Sequence, residues 1–522
     1  MSTWFPRITV HSLVVVISVL IYVLTTRVER ERRPPSIAIA WVLGMIAVPY
    51  LALPIYLLFG RRKLPRKVLR WSGTQWHCAH WAEDLVRSFG LAPCAPASVR
   101  LHQDGGESAA ALFAVMSEAA ERLDICTYIL GDDAFGREAM QRMMERARAG
   151  VQVRLLVDGV GAAQMPHRSF RQLHLAGVET EVFSPLFARK TQGPRNLRNH
   201  RKMVIADGTH LWAGGRNIAA EYFTGIKGAE PWRDLTFDLR GPVAAAAAAQ
   251  FEADWVAAGG KPAARPAAAD WAAAADSVSA ADWAAAADSV SAADSATAAD
   301  SVTAADSATA ADSAVAADSA VATDSAVVPE VGTSGVIAPK LRSGGGRAQF
   351  LPSGPDQAED TVHALLIDAC FHACERILAV TPYFVPDASL ETAMRLAARR
   401  GVKIDLCIPA VSNHRLADFA RNRALRALTE AGAGIHLLPY MNHAKAVVFD
   451  RSLALSGSVN LDSRSLLLNY ECAVVFYGAA EIDWLAKWIQ ALIPEAQPYD
   501  CRAPGLLRDI CEGLLLTVAY QL

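Results

Sequence analysis

The sequence predicts an α/β protein of two duplicated α/β/α lobes related by a pseudo-twofold axis, with a transmembrane helix hairpin in front of them. Two uncharged apolar runs open the chain, at 10–26 and 36–59. Beyond them, helix-like segments alternate with apolar strand-like segments, as is typical of α/β folds. The same order of elements occurs twice, and each copy ends on the same short motif. These three observations predict the fold class and its duplication.

Composition narrows the function classes. The 522 residues suffice for two or three domains, and the net charge of −2 gives no basic field of the kind that nucleic-acid binding needs. Hydrophobic residues make up 52% of the chain and the mean hydropathy is +0.18, which is high for a soluble enzyme. The nine cysteines form no C-x-x-C pair, which predicts reduced thiols in a cytoplasmic domain rather than a zinc site.

The two apolar runs predict transmembrane helices at about 8–26 and 36–59, since each is long enough to cross a bilayer. Pro49 and Pro54 are expected to kink the second helix without forbidding it. A cleavable signal peptide fits less well, because Arg7 is the single basic residue before the first run and no small-x-small site follows. Six basic residues at 61–70 favour a cytoplasmic location for the rest of the chain.

The chain then divides into segments of different character. The predicted division is a helix hairpin at 1–65, a connecting segment at 66–106, a first lobe at 107–260, a linker at 261–345, and a second lobe with C-terminal helices at 346–522. The linker carries an Ala-Asp-Ser repeat with a six-residue period, which makes no continuous apolar stripe. It is interpreted as a flexible acidic linker, with partner binding as the alternative. The C-terminal helices are expected to pack on the second lobe, or else to contact a membrane surface.

Each lobe contains the same motif. The first copy is HRKMVIADGTHLWAGGRN, from His200 to Asn217, and the second is HAKAVVFDRSLALSGSVN, from His443 to Asn460. The two align without a gap, and histidine, lysine, valine, aspartate, glycine and asparagine coincide. One H-x-K-x-x-x-x-D match would be weak, but two matches at equivalent points of a duplicated unit are a strong signal.

The residue types point to phosphodiester chemistry. Residues two apart on a strand share a face, so His200 and Lys202 point one way, and so do His443 and Lys445. If the halves pack about a pseudo-twofold axis, these side chains and the two asparagines line one cleft. Lysines and amides there would stabilise charge on phosphate oxygens, while one imidazole attacks phosphorus and the other works as acid and base. This chemistry needs no metal or cofactor.

The motif aspartates are a separate case. Asp207 and Asp450 belong to the catalytic motif, and we group them with the catalytic residues. Each lies an odd number of positions after its histidine, so an extended strand would point the two side chains to opposite faces. Each also lies beside a predicted turn. An orienting or structural role is therefore expected of them.

The chain resembles the phospholipase D superfamily and, within it, the bacterial cardiolipin synthases. The resemblance covers nearly everything outside about 260–345. It is carried by the N-terminal helix pair with YLLFGRRK, and by NLRNHRKMVIADG, PWRDLTFDLRGP, LPSGPD, TPYFVPD, MNHAKAVVFD and GSVNLDSRSLLLNYE. The paired motifs identify the superfamily, and the helix pair with TPYFVPD and WRD favours the synthase branch.

The resemblance implies a phosphatidyltransferase that converts two phosphatidylglycerol molecules into cardiolipin and glycerol through a phosphohistidine. It makes His200 the nucleophile and His443 the general acid and base, although the symmetry leaves that assignment open. Other expected roles are phosphate binding by Lys202, Lys445, Asn217 and Asn460, histidine orientation by Asp234 and Glu471, and substrate binding or orientation by Ser458. The implied location is the bacterial inner membrane, as a multi-pass protein whose partners are phospholipids and the bilayer.

Other functions use the same residues. In a membrane-bound phospholipase D, water would resolve the phosphohistidine and release phosphatidic acid, and motifs alone do not separate the two reactions. A nuclease of the superfamily is disfavoured by the helix pair and by the lack of basic excess. A non-catalytic scaffold would have lost at least one half-site, yet both are intact. The acceptor alcohol and the oligomeric state stay open at this level.

Overall fold

The structure is a computed structural model of the whole chain. It describes residues 5–29, 35–60, 80–185, 196–226, 228–263 and 346–502, together with 504–505, 508 and 512–513. The predicted linker at 261–345 lies outside the described residues from position 264 onward.

The N-terminal apolar residues form three helices, α1 Phe5–Glu29, α2 Pro35–Ala47 and α3 Pro49–Phe59. The prediction of one helix over 36–59 is wrong, because the helix breaks at Val48, where φ is −141° and ψ is 60°. A residue that precedes proline is disfavoured from helical geometry, and Val48 precedes Pro49. α3 then packs against α2, with the Trp41 and Tyr56 ring centroids 5.2 Å apart. Within the described ranges, no helix is at once long and apolar enough to cross a membrane.

The rest of the chain alternates helices and strands as an α/β fold. The first half contains α4 Trp81–Ser88, β1 Ala95–His102, α5 Gly105–Glu118, β2 Arg122–Thr127, α6 Ala134–Arg148, β3 Gln152–Asp158, α7 Gly159–Ala162, α8 His167–Leu175, β4 Glu179–Phe183, β5 Met203–Ala206, β6 His210–Gly214, β7 Thr236–Arg240 and α9 Pro242–Ala258. The second half contains β8 Gly346–Ser353, α10 Thr361–His372, β9 Arg376–Val380, β10 Phe384–Val385, α11 Ala388–Arg399, β11 Lys403–Pro409, α12 Arg415–Ala420, α13 Asn422–Glu430, β12 Gly434–Leu438, β13 Ala446–Phe449, β14 Leu453–Gly457, β15 Leu461–Asp462, α14 Ser463–Leu467, β16 Glu471–Phe476, α15 Ala479–Leu492 and β17 Gln497–Pro498.

Among the described residues, one mixed sheet joins both halves. Its fifteen strands have the order β17-β12-β11-β9-β13-β14-β16-β8-β1-β7-β6-β5-β2-β3-β4. From the central pair β8 and β1 outward, the two sides repeat each other, so that β16 corresponds to β7, β14 to β6, β13 to β5, and β9 to β2. β2, β3 and β4 run parallel on one side, and β9, β11 and β12 do so on the other. Beyond β12, the short strand β17 pairs antiparallel at the edge. The strands toward the centre pair antiparallel.

The segment at 66–106, predicted only to connect, contributes to the fold where it is described. β1 pairs with β7 on one side and with β8 on the other, so it is an inner strand that joins the halves. Ala82 and Val86 of α4 are buried in the apolar core of the second half. The prediction of a mere connecting segment is corrected here, because pairing with residues 134 to 253 positions away leaves no local pattern in the sequence.

Strand pairing determines where the motifs lie. β5 runs antiparallel to β2, so its first residue, Met203, is opposite Cys126 near the end of β2. In the second half, Ala446 at the start of β13 is opposite Val380 at the end of β9. The residues that enter β5 and β13 therefore lie beside the loops that leave β2 and β9.

Candidate active site

The histidine segments lie just before the strands that were expected to contain them. β5 begins at Met203 and β13 at Ala446, so each His-Lys pair precedes its strand. The predicted strand bounds are corrected there, because the histidine segments pair with the opposite half. His200 N donates to Tyr470 O at 2.8 Å, and His443 N donates to Arg233 O at 2.6 Å. Each histidine is thus fixed by backbone of the other half.

The side chains of the two histidines are also held by residues of the opposite half. Nδ1 of His200 lies 2.9 Å and 3.1 Å from the carboxylate oxygens of Glu471, in the second half. Nδ1 of His443 lies 2.7 Å from Oδ2 of Asp234, in the first half. A carboxylate only accepts, so Nδ1 carries the hydrogen in both rings and Nε2 carries the lone pair. In His443 that Nε2 lies 3.2 Å from Nζ of Lys445, which can donate to it. Each half therefore orients the histidine of the other.

Burial controls the charge of this site. The Glu471 and Asp234 side chains are fully buried, while His200 keeps 14% and His443 5% of its side-chain surface exposed. Burial lowers the pKa of His200, against the opposing effect of Glu471. Burial, together with Lys445, lowers the pKa of His443 to about 3. Burial would raise the pKa of Asp234, but Lys445 and His443 outweigh it and lower that pKa.

The two lysines complete the centre. Lys202 Nζ donates to the carbonyl of His200 at 2.8 Å, and Lys445 Nζ donates to the carbonyl of His443. Burial lowers the pKa of Lys202 to about 8 and that of Lys445 to about 7. Lys445 also lowers the pKa of His200, and Lys202 lowers that of His443. The four groups therefore act on one another across the halves, as one site.

The two asparagines that were predicted to bind phosphate each use part of their amide group in hydrogen bonds to the protein. Asn217 accepts from Ile129 N at 3.2 Å and donates to the Tyr222 hydroxyl at 2.7 Å. Asn460 Nδ2 donates to Ser465 Oγ at 3.1 Å, and its buried Oδ1 has no hydrogen-bond partner. Each amide nitrogen keeps one further hydrogen for a ligand.

Ser458 supports Glu471. Its hydroxyl donates to Oε2 of Glu471 at 2.5 Å and accepts from Cys472 N at 3.0 Å. The equivalent residue in the first half is Gly215, where an added Cβ would lie 2.1 Å from Oδ1 of Asp234. The shorter carboxylate thus packs against glycine, and the longer one is held by serine.

The motif aspartates do not join the histidines. Asp207 accepts from the backbone amides of Ala120, Glu121 and Arg122 at 2.7–2.9 Å, at the start of β2. Asp450 accepts from Cys374, Glu375 and Arg376 at 2.8–2.9 Å, at the start of β9. Both have φ of 51°, a left-handed turn conformation that aspartate tolerates. The geometry does not support their place in the catalytic group, because β5 and β13 separate them from the histidines.

Replacing a motif aspartate should cost stability more than activity. We expect Asp450→Ala to lower the free energy of unfolding by about 2–3 kcal/mol, because three backbone donors lose a charged acceptor at a left-handed residue. The expected fall in Tm is about 5 °C, with turnover per folded molecule within about threefold of wild type. Thermal unfolding and product formation, measured with Asp450→Asn as the milder control, test this. A 100-fold loss of turnover at unchanged Tm would instead put Asp450 in the chemistry.

Sequence reasoning missed the aromatic rings around the histidines. The Tyr128 ring centroid lies 4.9 Å from that of His200, and those of Tyr222 and Trp232 lie 5.2 Å and 5.8 Å from that of His443. Tyr128 follows the last residue of β2, so its position after a motif-paired strand was a usable signal. Tyr222 ends a three-residue 3₁₀ helix, Ala220–Tyr222, and Trp232 lies on the loop that follows, so no periodicity marks them.

No group of three or more histidine, cysteine, aspartate or glutamate side chains is arranged to hold a metal ion in the part of the chain that the structure describes. The site offers hydrogen-bond donors and two lysine side chains around two imidazoles. Such a set binds an anion and exchanges protons with it.

Two family models match the chain. One, described as "Cardiolipin synthase, PLD-like domain", matches 112–255 and 366–493, and so includes both histidine motifs. A second, described as "Phospholipase D-nuclease N-terminal", matches 14–61.

Two curated relatives and one solved structure extend these matches. Cardiolipin synthase A of Pseudomonas aeruginosa (strain LESB58) is 29% identical over 530 aligned residues, with 95% of this chain and 93% of the relative covered. Cardiolipin synthase A of Pseudomonas putida (strain W619) is 27% identical, with 84% and 82% covered. The crystal structure of phosphatidylserine synthase from Haemophilus influenzae Rd KW20 superposes with a TM-score of 0.54 at 12% identity, covering 85% of this chain and all of the other. That last similarity concerns the fold alone.

Proposed function

Since the chain belongs to the family of cardiolipin synthases with phospholipase D-like domains, we propose that it transfers a phosphatidyl group between two phosphatidylglycerol molecules and releases cardiolipin and glycerol. One observation carries the proposal: two His-Lys pairs share a site in which each half orients the histidine of the other. Curated relatives that match over nearly the whole chain and bear the name cardiolipin synthase support the choice of reaction.

The reaction proceeds in two displacements at phosphorus. Nε2 of His200 attacks the first phosphatidylglycerol, the bond from phosphorus to the glycerol oxygen breaks, and His443 gives that oxygen a proton. The hydroxyl of a second phosphatidylglycerol headgroup then loses its proton to His443 and attacks the phosphohistidine. Cardiolipin leaves and His200 is restored. His200 is made the nucleophile by family analogy, since both rings donate Nδ1–H to a buried carboxylate of the other half.

The charges suit both roles of the histidines. Lowered pKa values leave both imidazoles neutral at neutral pH, as a nucleophile requires. A bound phosphate diester would offset the charges of Lys202 and Lys445, and so raise the pKa of His443 toward the range where it can donate a proton. The same lysines, with one amide hydrogen each from Asn217 and Asn460, would stabilise charge on the non-bridging oxygens.

We place the site at a membrane surface, where its lipid substrates are. Along α1, Val10, Leu13, Val16, Leu20 and Leu24 are each 52–61% exposed, an apolar face that water does not favour. The family model described as "Phospholipase D-nuclease N-terminal" matches this segment, at 14–61. The N-terminal helices would anchor the protein in the bacterial inner membrane as a hairpin, with the catalytic lobes on the cytoplasmic side.

Lipid mass spectrometry on purified full-length protein in phosphatidylglycerol vesicles tests this function. We expect cardiolipin and glycerol in equal amounts, with little phosphatidic acid, because a membrane-held site meets a lipid hydroxyl at high effective concentration. Vesicles of phosphatidylcholine alone are the control, since that headgroup has no acceptor hydroxyl. Phosphatidic acid as the main product would make the protein a phospholipase D, and no product from either lipid would overturn the proposal.

A further inference from the structure

A buried arginine lies between the two catalytic residues of the first motif. Arg201 separates His200 from Lys202 in the sequence, and it is fully buried. It therefore has no surface with which to touch a substrate. The equivalent residue of the second motif is Ala444, so the feature occurs in one half only.

The guanidinium of Arg201 joins three chain segments. Its Nη1 donates to Asp254, at the end of the first half on α9. Its Nη2 donates to both carboxylate oxygens of Asp356 at 3.0 Å and to Ser353 O at 3.1 Å, in the second half. Although burial opposes its charge, Asp254 and Asp356 raise the pKa of Arg201, so it stays cationic.

The remaining contact leads to the active site. Nε of Arg201 donates to the backbone carbonyl of Glu471 at 2.9 Å. The carboxylate of the same Glu471 holds Nδ1 of His200 at 2.9 Å and 3.1 Å. Arg201 and His200 are neighbours in the chain, so the arginine fixes the donor and the acceptor of this hydrogen bond relative to each other.

The carboxylates that hold Arg201 are themselves fixed. Asp254 also accepts from Asn199 Nδ2 at 3.0 Å, and Gln250 Nε2 donates to Asp254 at 2.9 Å and to Asp356 at 3.0 Å. Asn199 directly precedes His200 and Arg201 directly follows it, so the network holds the histidine segment on both sides of the histidine. Networks of buried charged hydrogen bonds keep one geometry, because any member that moves leaves a buried charge unpaired.

We infer that Arg201 is a positioning residue that ties Glu471 to the His200 segment across the two halves, and so sets the orientation and protonation of His200. The inference rests on the proposed function, since it assigns a role around the same histidine. On the His443 side Ala444 makes no such tie, so the two half-sites are held by different means.

The test compares two buried arginines in full-length protein. Arg201→Lys keeps the charge but loses the planar set of donors. Arg154→Lys is the matched control, since Arg154 is 1% exposed and pairs at 2.7 Å with Asp124 and Glu252, both in the first half. We expect both variants to lose similar Tm. Arg201→Lys should also lose kcat by about 100-fold with KM for phosphatidylglycerol within about twofold, as misplacement of a catalytic group does.

A second readout does not depend on the product. Diethyl pyrocarbonate modifies neutral imidazole, so the pH dependence of His200 modification, followed by mass spectrometry, reports its pKa. Glu471 raises that pKa, so a loosened Glu471 should move the midpoint to lower pH by about 0.5 unit in Arg201→Lys and leave it unchanged in Arg154→Lys. Asp356→Asn, at a side chain 12% exposed, is the second variant in case Arg201→Lys does not fold. It should shift the His200 midpoint in the same direction and reduce kcat by about tenfold.

The outcomes separate the two proposals. An Arg201→Lys or Asp356→Asn protein whose kcat and His200 midpoint match those of Arg154→Lys would overturn the positioning role. A wild type that forms phosphatidic acid, or no product, overturns the proposed function alone, because the modification midpoint is still measured.

Discussion

His200→Ala and His443→Ala are each expected to reduce cardiolipin formation by at least about 10⁴-fold, because each removes a group that the other cannot replace. Without the nucleophile no phosphohistidine forms, and without the acid the glycerol oxygen leaves as an alkoxide. Both rings lie in one site, held from opposite halves. The double variant should therefore be no worse than either single variant, as for residues that act as a unit.

Product formation from phosphatidylglycerol vesicles, with Tm as the check on folding, measures this. His174→Ala is the control, since His174 lies exposed on α8 and should retain activity within about twofold. Rapid quenching of labelled substrate in detergent at alkaline pH, where a phosphohistidine is stable, should trap a phosphatidyl adduct on His200 of the wild type. Activity above about 1% in either catalytic variant would sink the shared two-histidine mechanism.

Asp234→Asn and Glu471→Gln should have the next largest effects, a loss of about 10²–10⁴ in kcat at nearly unchanged KM. An amide can turn its NH₂ group toward Nδ1, which then becomes the acceptor and moves the hydrogen to Nε2. The nitrogen that must attack phosphorus or take a proton would then be blocked. In serine proteases the equivalent change costs about 10⁴-fold for the same reason.

The pH dependence of kcat/KM should show the loss of each orienting carboxylate as a shift in a known direction. Asp234 and Glu471 raise the pKa of the histidines that they hold, and a neutral amide removes that contribution. The limb of kcat/KM that reports each histidine should therefore move to lower pH in its variant. Asp238→Asn is the matched control: Asp238 is a carboxylate that also holds histidines, His102 at 2.8 Å and His210 at 3.1 Å, outside the site. A profile shift or loss of kcat as large in Asp238→Asn would show a general stability effect.

The site could be predicted from the sequence as far as it is local. The spacing of His200 with Lys202, repeated at His443 with Lys445, predicted the groups to which we assign the chemistry. Parity along the strand indicated a different role for Asp207 and Asp450, and the structure places both on backbone amides at the far ends of β5 and β13. These predictions could be made because residues a few positions apart have a fixed relation in extended chain.

The rest depends on how the halves dock. Asp234 and His443 are 209 residues apart, and no pattern in either segment indicates which histidine each carboxylate orients. Arg201 has the appearance of an ordinary basic residue beside a motif, and only the fold shows it buried between two carboxylates. The inner strand β1 was missed for the same reason, since its partners lie far along the chain.

The exchange of orienting carboxylates between halves has a consequence for substitutions. In an isologous homodimer, residue i of one copy contacts residue j of the other, and j contacts i in return. Asp234 with His443, and Glu471 with His200, are such a reciprocal pair within one chain. In a homodimer one mutation changes both contacts, whereas in a single chain each contact can change separately. Here aspartate packs against Gly215 and glutamate is held by Ser458, so exchanging either carboxylate without its neighbour should break the contact.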